Sequence, residues 1–229
     1  MARDDVWQQL TQRPVLARAA LDAFATMAYL TSLFRLPIAN ATAINMASPL
    51  FIALYAAVVW RERVGPARWL AIAVGFAGVL LIVQPAATAF NAWSLLCLFA
   101  TLLHTGRDLI TRQIALTVPS ILITLTTSTA VLLLTGPWSL LQGWAPVDAT
   151  QLGLLAGASV FLSTAYYTVI VGMRSGELSL VAPFRYTALV YALALGWLVW
   201  GDVPNALAWS GIVLLVMAGI FMLRAGRSA

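Results

Sequence analysis

The polar and apolar positions divide the chain into eight long apolar runs: Val15–Phe34, Ile38–Trp60, Pro66–Val83, Trp93–Ile110, Val118–Leu141, Gln151–Met173, Leu178–Trp200 and Ala206–Leu223. Most match the ~18–24 residues that a helix needs to cross a bilayer with modest tilt. None alternates with the two-residue period of a barrel strand, so the runs predict helices. The connections are short, and several carry proline or glycine: Pro37, Gly65-Pro66, Gly136-Pro137, Gly176 and Gly201 to Pro204. Seven of the nine tryptophans (Trp60, Trp69, Trp93, Trp138, Trp144, Trp200 and Trp209) fall at predicted ends, as an interfacial belt requires. The predicted fold is all-α, a polytopic membrane bundle of eight transmembrane helices between a leader (1–14) and a short tail (225–229).

Composition agrees with this reading. Of 229 residues, 62% are hydrophobic and 9% charged, against about a quarter charged in a soluble domain. Mean hydropathy is +0.90. All thirteen basic residues are arginine, and they collect between apolar runs. That arrangement fits lipid headgroups and topology, not the solvated basic face of a nucleic-acid binder. Asp22 interrupts the first run, so the N-terminus makes a poor signal-peptide core and no cleavage is expected. With a cytoplasmic start and alternating crossings, eleven arginines fall inside and only Arg35 outside, leaving Arg185 within a run. The bias predicts cytoplasmic N- and C-termini.

Arg185 is the sharpest chemical signal. It is the one charge in Leu178–Trp200, and seven residues from the start of that run place it ~10 Å in, where a guanidinium needs a partner or a watery cavity. The same counting sets Asp22 and His104 ~10 Å from the cytoplasmic face, so the three are candidates for one polar cluster on a substrate or proton path. Each has a plainer reading as well. Asp22 pairs with Arg18 one turn earlier, His104 bonds Asp108 one turn later, and Arg185 holds helices together. Tyr166, Tyr167 and Tyr186 are weaker candidates for the cavity wall, since bundle tyrosines also simply pack. Gly153 and Gly157, with Gly75 and Gly78, read as close-packing devices, and Cys97 as a small hydrophobe.

A shift of 140 residues carries Trp60-Arg61-Glu62 onto Trp200-Gly201-Asp202, Trp69 onto Trp209, Ile72 onto Ile212, and the run Ile38–Val83 onto Leu178–Leu223. The copies start five runs apart and so enter the membrane from opposite sides. Inverted repeats of this kind mark transporters with a midplane site at the repeat interface. Under the shift Asn45 is the mate of Arg185, which raises it from interhelical glue to a site candidate.

Leu36 to Ala41 (LPIANA), Pro49-Leu50-Phe51, Glu62-Arg63 and Gly75 to Leu81 (GFAGVLL) resemble the EamA-type drug/metabolite transporters. Ala182 to Thr187 (APFRYT) and Gly201 to Pro204 (GDVP) resemble the matching part of that family's second repeat. The resemblance implies ten helices in two inverted repeats of five, of which this chain shows three (15–84) plus five (91–224). Either the start lies further upstream or the protein is an eight-helix variant. It also implies a secondary transporter working by alternating access on a small organic metabolite: an amino acid, an S-adenosylmethionine-like compound, a vitamin or a drug-like compound. The partners expected are that solute, the bilayer and a coupling proton, with no nucleic acid. A truncated, non-transporting membrane protein or partner subunit is the alternative. An embedded enzyme is disfavoured: the chain has one His, one Cys, no HExxH and no GxSxG. It also has no ATP-binding GxxxxGK[ST] loop, so the energy is expected from an ion or substrate gradient. No cofactor or metal is expected.

Overall fold

The computed structural model describes residues 9–59, 65–83, 91–143, 146–174 and 187–225. Among them every regular element is helical. The helices are α1 (Arg13–Leu33), α2 (Ile38–Asn45), α3 (Ser48–Val58), α4 (Pro66–Val83), α5 (Ala92–Gln113), α6 (Ser120–Gln142), α7 (Ala149–Arg174), α8 (Thr187–Leu195), a π-helical turn (Gly196–Trp200) and α9 (Ala206–Ala225). They group into two compact units, Met1–Met27 with Gly106–Glu177, and Ala28–Thr105 with Leu178–Ala229.

In the first unit α6 packs along α7, and Val15, Ile114, Val118, Ile123 and Ile170 form a small apolar core. Asp148 starts α7 with a reciprocal cap, its carboxylate accepting from Gln151 N (2.7 Å) while its own N–H donates to Gln151 Oε1 (3.2 Å). Gly136-Pro137, expected in a connection, lies inside α6. Membrane helices tolerate such a proline because neighbouring groups and local adjustment re-satisfy the freed carbonyl. Several hydroxyls of α6 and α7 are satisfied within their own helix. Thr126, Thr135, Ser159, Thr164 and Thr168 each donate to the carbonyl four residues earlier at 2.8 Å. A hydroxyl bonded in this way spends its donor inside its own helix. Both α6 and the span Ala149–Gly172 of α7 are long and apolar enough to cross a membrane.

On α1 and α5 charged side chains lie on the inside. On α1 the side chains of Arg18 and Asp22 are buried while Leu16 and Phe24 are exposed. On α5 the buried set includes Thr101, His104, Arg107, Asp108 and Thr111, and the exposed set Leu95, Phe99 and Leu102. A water-soluble helix has the opposite arrangement. Apolar outside and ionic inside is what a hydrocarbon solvent selects, since an ion facing lipid costs several kcal/mol or more.

In the second unit α4 lies against α9, with α2 packed on α4 and α8. The core holds Ile44, Leu50, Val79, Ile82, Leu189, Ile212 and Leu215. The run Ile38–Trp60, expected as one helix, is two. The first ends at Asn45 and the second restarts at Ser48 with proline in its first turn. Pro49 has no N–H to continue a helix and disfavours helical geometry in the residue before it. The gap closes locally: Ser48 Oγ donates to Asn45 O (3.0 Å) and Ala47 N to Ile44 O (3.0 Å). Of the run Leu178–Trp200, residues 187–200 are described. They end in the π turn and in Gly201, whose φ of 70° is a left-handed conformation that favours glycine.

Backbone approach between α4 and α9 depends on glycine. A Cβ on Gly78 would sit 2.7 Å from Gly211 O, and one on Gly211 would sit 2.5 Å from Gly78 O. The helices run antiparallel here, for Ala71 and Ala218 line a single groove beyond this contact. The 140-residue shift carries Ala71 to position 211 and Gly78 to 218, so the contact is small-on-small at both of its ends. Gly153 and Gly157 differ from the sequence-based expectation. Among the described residues a Cβ at either would meet nothing within 4 Å. Gly211→Val should therefore destabilise the protein by about 1–3 kcal/mol through backbone overpacking. Thermal unfolding in detergent would register it as a lower midpoint, while Gly157→Val should stay within error of wild type. Equal shifts for the two would contradict the packing described.

Candidate functional site

The first unit is built around an ionic group. From α1, Arg18 and Asp22 project one turn apart, and from α5 come Arg107, Asp108 and Thr111. All five are buried. Arg107 is shared between two carboxylates. Its Nη1 donates to Asp22 Oδ1 at 2.7 Å, while Nε (3.0 Å) and Nη2 (2.7 Å) both donate to Asp108 Oδ1. The planar fork of a guanidinium permits this division, which a lysine ammonium could not reproduce.

Arg18 does not pair with Asp22, as the simpler sequence reading had it. Its Nε donates to Thr111 Oγ1 (2.8 Å) and its Nη1 to Thr127 Oγ1. Each hydroxyl can accept because its proton is given to its own helix, Thr111 to Arg107 O and Thr127 to Ile123 O, both at 2.8 Å. Two arginines and two aspartates leave the group formally neutral. Asp22 is only half used, however. Its Oδ2, fully buried, has no hydrogen-bond partner among the described residues, and neither has the Thr26 hydroxyl one turn along α1. The half-buried Tyr166 phenol of α7 stands beside both. A carboxylate oxygen, a threonine hydroxyl and a phenol thus converge, with the phenol placed to interact with both of the others.

A smaller polar group lies in the second unit. His104 Nδ1 is 3.4 Å from Asn45 Oδ1, and the His104 and Tyr29 rings are 5.9 Å apart, tilted by 58°. Asn45 ends α2 where the first broken helix stops. Polar side chains beside a helix break are the arrangement by which membrane carriers form solute sites.

The candidates from sequence thus distribute as follows. Asp22 and Tyr166 meet in the first unit, and Asn45 and His104 meet in the second. Tyr167 is 46% exposed. Arg185 and Tyr186 lie outside the described residues. Sequence reading missed Arg107 and Arg18, which it assigned to the cytoplasmic rim. Setting those two aside leaves nine arginines inside against Arg35 outside, and the topological bias survives. One signal was available: Arg107-Asp108 is an acid–base pair inside an apolar run, four residues before a threonine.

Comparison with known proteins agrees with this architecture. The family model described as "EamA-like transporter family" matches residues 3–84 and 91–224. A riboflavin transporter of Rhizobium johnstonii is 33% identical over 221 residues, covering 95% of this chain and 70% of that protein. The pseudopaline exporter CntI of Pseudomonas aeruginosa is 26% identical over 214 residues, covering 92% and 74%. A solved crystal structure superposes with a TM-score of 0.65 at 23% identity, covering 96% of this chain and 80% of the other, and it speaks to the fold alone. The chain, a multi-pass helical membrane protein, belongs to the EamA-like transporter family.

Proposed function

We propose that the protein is a secondary transporter of a small, flat organic metabolite of the riboflavin kind, in a bacterial cytoplasmic membrane. One observation carries the reading: the buried, half-paired Asp22 beside Arg107, Thr26 and Tyr166 in the first unit. Buried ionisable groups in membrane helices are costly and are retained where solute or protons pass. The relatives named for riboflavin and pseudopaline transport support a small-molecule solute.

The chemistry follows from the ion pairs. Arg107 is charge-balanced twice over by Asp22 and Asp108. A proton arriving at the unpartnered Oδ2 neutralises Asp22 and loosens its hold on Arg107, and the guanidinium then has donors free for a carbonyl or carboxylate of the solute. Departure of the solute returns Arg107 to Asp22 and expels the proton. This cycle links solute movement to a proton gradient through one side chain. In the second unit the Asn45–His104 pair beside the helix break offers a further polar group to a solute.

Reconstituted into liposomes, the wild-type chain should accumulate riboflavin when a pH gradient is imposed. Asp22→Asn should retain riboflavin exchange across the membrane and lose accumulation driven by the gradient. Accumulation equal to wild type in that variant would refute the coupling role. Arg107→Gln leaves two buried carboxylates without their cation and should cost about 3–5 kcal/mol of stability. Adding Asp22→Asn to it should recover part of that loss, because residues in one network do not contribute additively. Unfolding midpoints measured in detergent test both points.

Orientation is proposed from the arginine bias, with both termini cytoplasmic and the Asp148 turn external. In a Cys97→Ser background, Asp148→Cys should react with a membrane-impermeant maleimide on intact cells. Labelling only after permeabilisation would invert the topology.

A further inference from the structure

The second unit carries a cavity of about 600 Å³ where several helices end: α1 and the π turn by their C-termini, α2 by its N-terminus. Leu33, Phe34, Arg35, Leu36, Pro37, Ile38, Trp200 and Asp202 line it. The size is that of a small-molecule site, for which ~300–1,000 Å³ is usual. Its wall combines three kinds of group. Phe34 is 82% exposed and Trp200 64% exposed, so two aromatic faces stand open. The Arg35 guanidinium lies over the Trp93 ring at 5.7 Å, and no described carboxylate pairs with it. Asp202 supplies an acceptor that no described cation neutralises.

The frame under these groups is fixed. Asn91 Nδ2 donates to Arg35 O at 3.2 Å, and Asn91 Oδ1 accepts from Trp93 N at 3.0 Å, which ties the turn after α1 to the start of α5. Asp202 N donates to Gly196 O at 3.0 Å, closing the π turn through the left-handed Gly201. A Cβ on Gly196 would come within 3.1 Å of Ile38 Cγ2, so a glycine there lets the π turn sit against α2. An interfacial belt accounts for tryptophans at helix ends. It does not account for a cation and an anion, each without a described charge partner, lining the same cavity between open aromatic faces.

We infer that this cavity is a capture site for planar aromatic solutes bearing carbonyl oxygens and N–H or hydroxyl donors, where such a solute first meets the protein. The ring stacks on Trp200 and Phe34, Arg35 donates to a ring carbonyl, and Asp202 accepts from a ring N–H or a hydroxyl. By the arginine bias the cavity opens to the external face. The inference rests on the transport reading for the solute's identity, and on the cavity alone for its binding.

The probe is riboflavin, titrated by its fluorescence against the full chain in lipid nanodiscs. Trp200→Ala and Arg35→Gln should each weaken binding by about tenfold, the loss of one stacking face or one charge-assisted bond. Trp200→Phe should bind within about twofold of wild type, since the aromatic face is kept. In liposome uptake the weakened variants should raise KM and leave kcat unchanged, the mark of lost ground-state binding. Wild type that fails to bind riboflavin, or variants that bind as wild type does, would overturn the capture site. Binding that the variants abolish, with no transport by wild type, would uphold the site and refute the transport reading. Transport with unaltered KM in Trp200→Ala and Arg35→Gln would do the reverse.

Discussion

A charge in hydrocarbon must be neutralised from within the protein, and the first unit is arranged to meet that requirement. Arg107 is buried, with Asp22 and Asp108 each at 2.7 Å. Charged side chains tie the helices of this unit to one another. Asp22 fixes α1 to α5, Arg18 fixes α1 to Thr111 of α5 and Thr127 of α6, and Arg174 fixes the end of α7 to Ser120 Oγ and Ala115 O, each at 2.8 Å. The unit's apolar core is small by comparison. Apolar surface gains little by leaving lipid, so polar links and close packing hold helices together there instead.

The second unit meets the same shortage of hydrophobic driving force in another way. Gly78 and Gly211 remove the side chains between α4 and α9, so that dispersion between backbones replaces the burial that would hold a soluble pair. Around that contact the chain departs from regular helix twice, at Met46-Ala47 between α2 and α3 and in the π turn before Gly201. Both departures sit beside polar residues, Asn45 with His104 in one case and Asp202 in the other. Irregular backbone in a membrane protein is sustained where it is enclosed by protein or lines a watery space. The coincidence of breaks with polar side chains therefore has a common physical cause.

Much of this was legible in the residues. Hydrophobic run lengths marked most of the helices, and tryptophans mark several of the predicted ends. Asp22 and Tyr166 were recognisable because a polar group in an apolar run must be buried or costly. Arg107 was not, since a charge six residues before the last of α5 reads equally well as a rim residue. The break at Asn45 was hidden by an apolar run that continues through it, although Pro49 marked its far side. The free face of Gly153 and Gly157 was misread, because spacing shows that two glycines share a face without showing whether another helix covers it.

By itself the sequence determined that the protein lives in a membrane and how many apolar segments it has, because each is a one-dimensional property of hydropathy. Only the tertiary structure decided which ions meet. Arg107 rather than Arg18 takes Asp22, since Arg18's guanidinium is occupied by the hydroxyls of Thr111 and Thr127 on two other helices. Partner choice among buried charges is fixed by packing in three dimensions, where residues 85 positions apart come to 2.7 Å, and no local pattern of hydropathy encodes that distance.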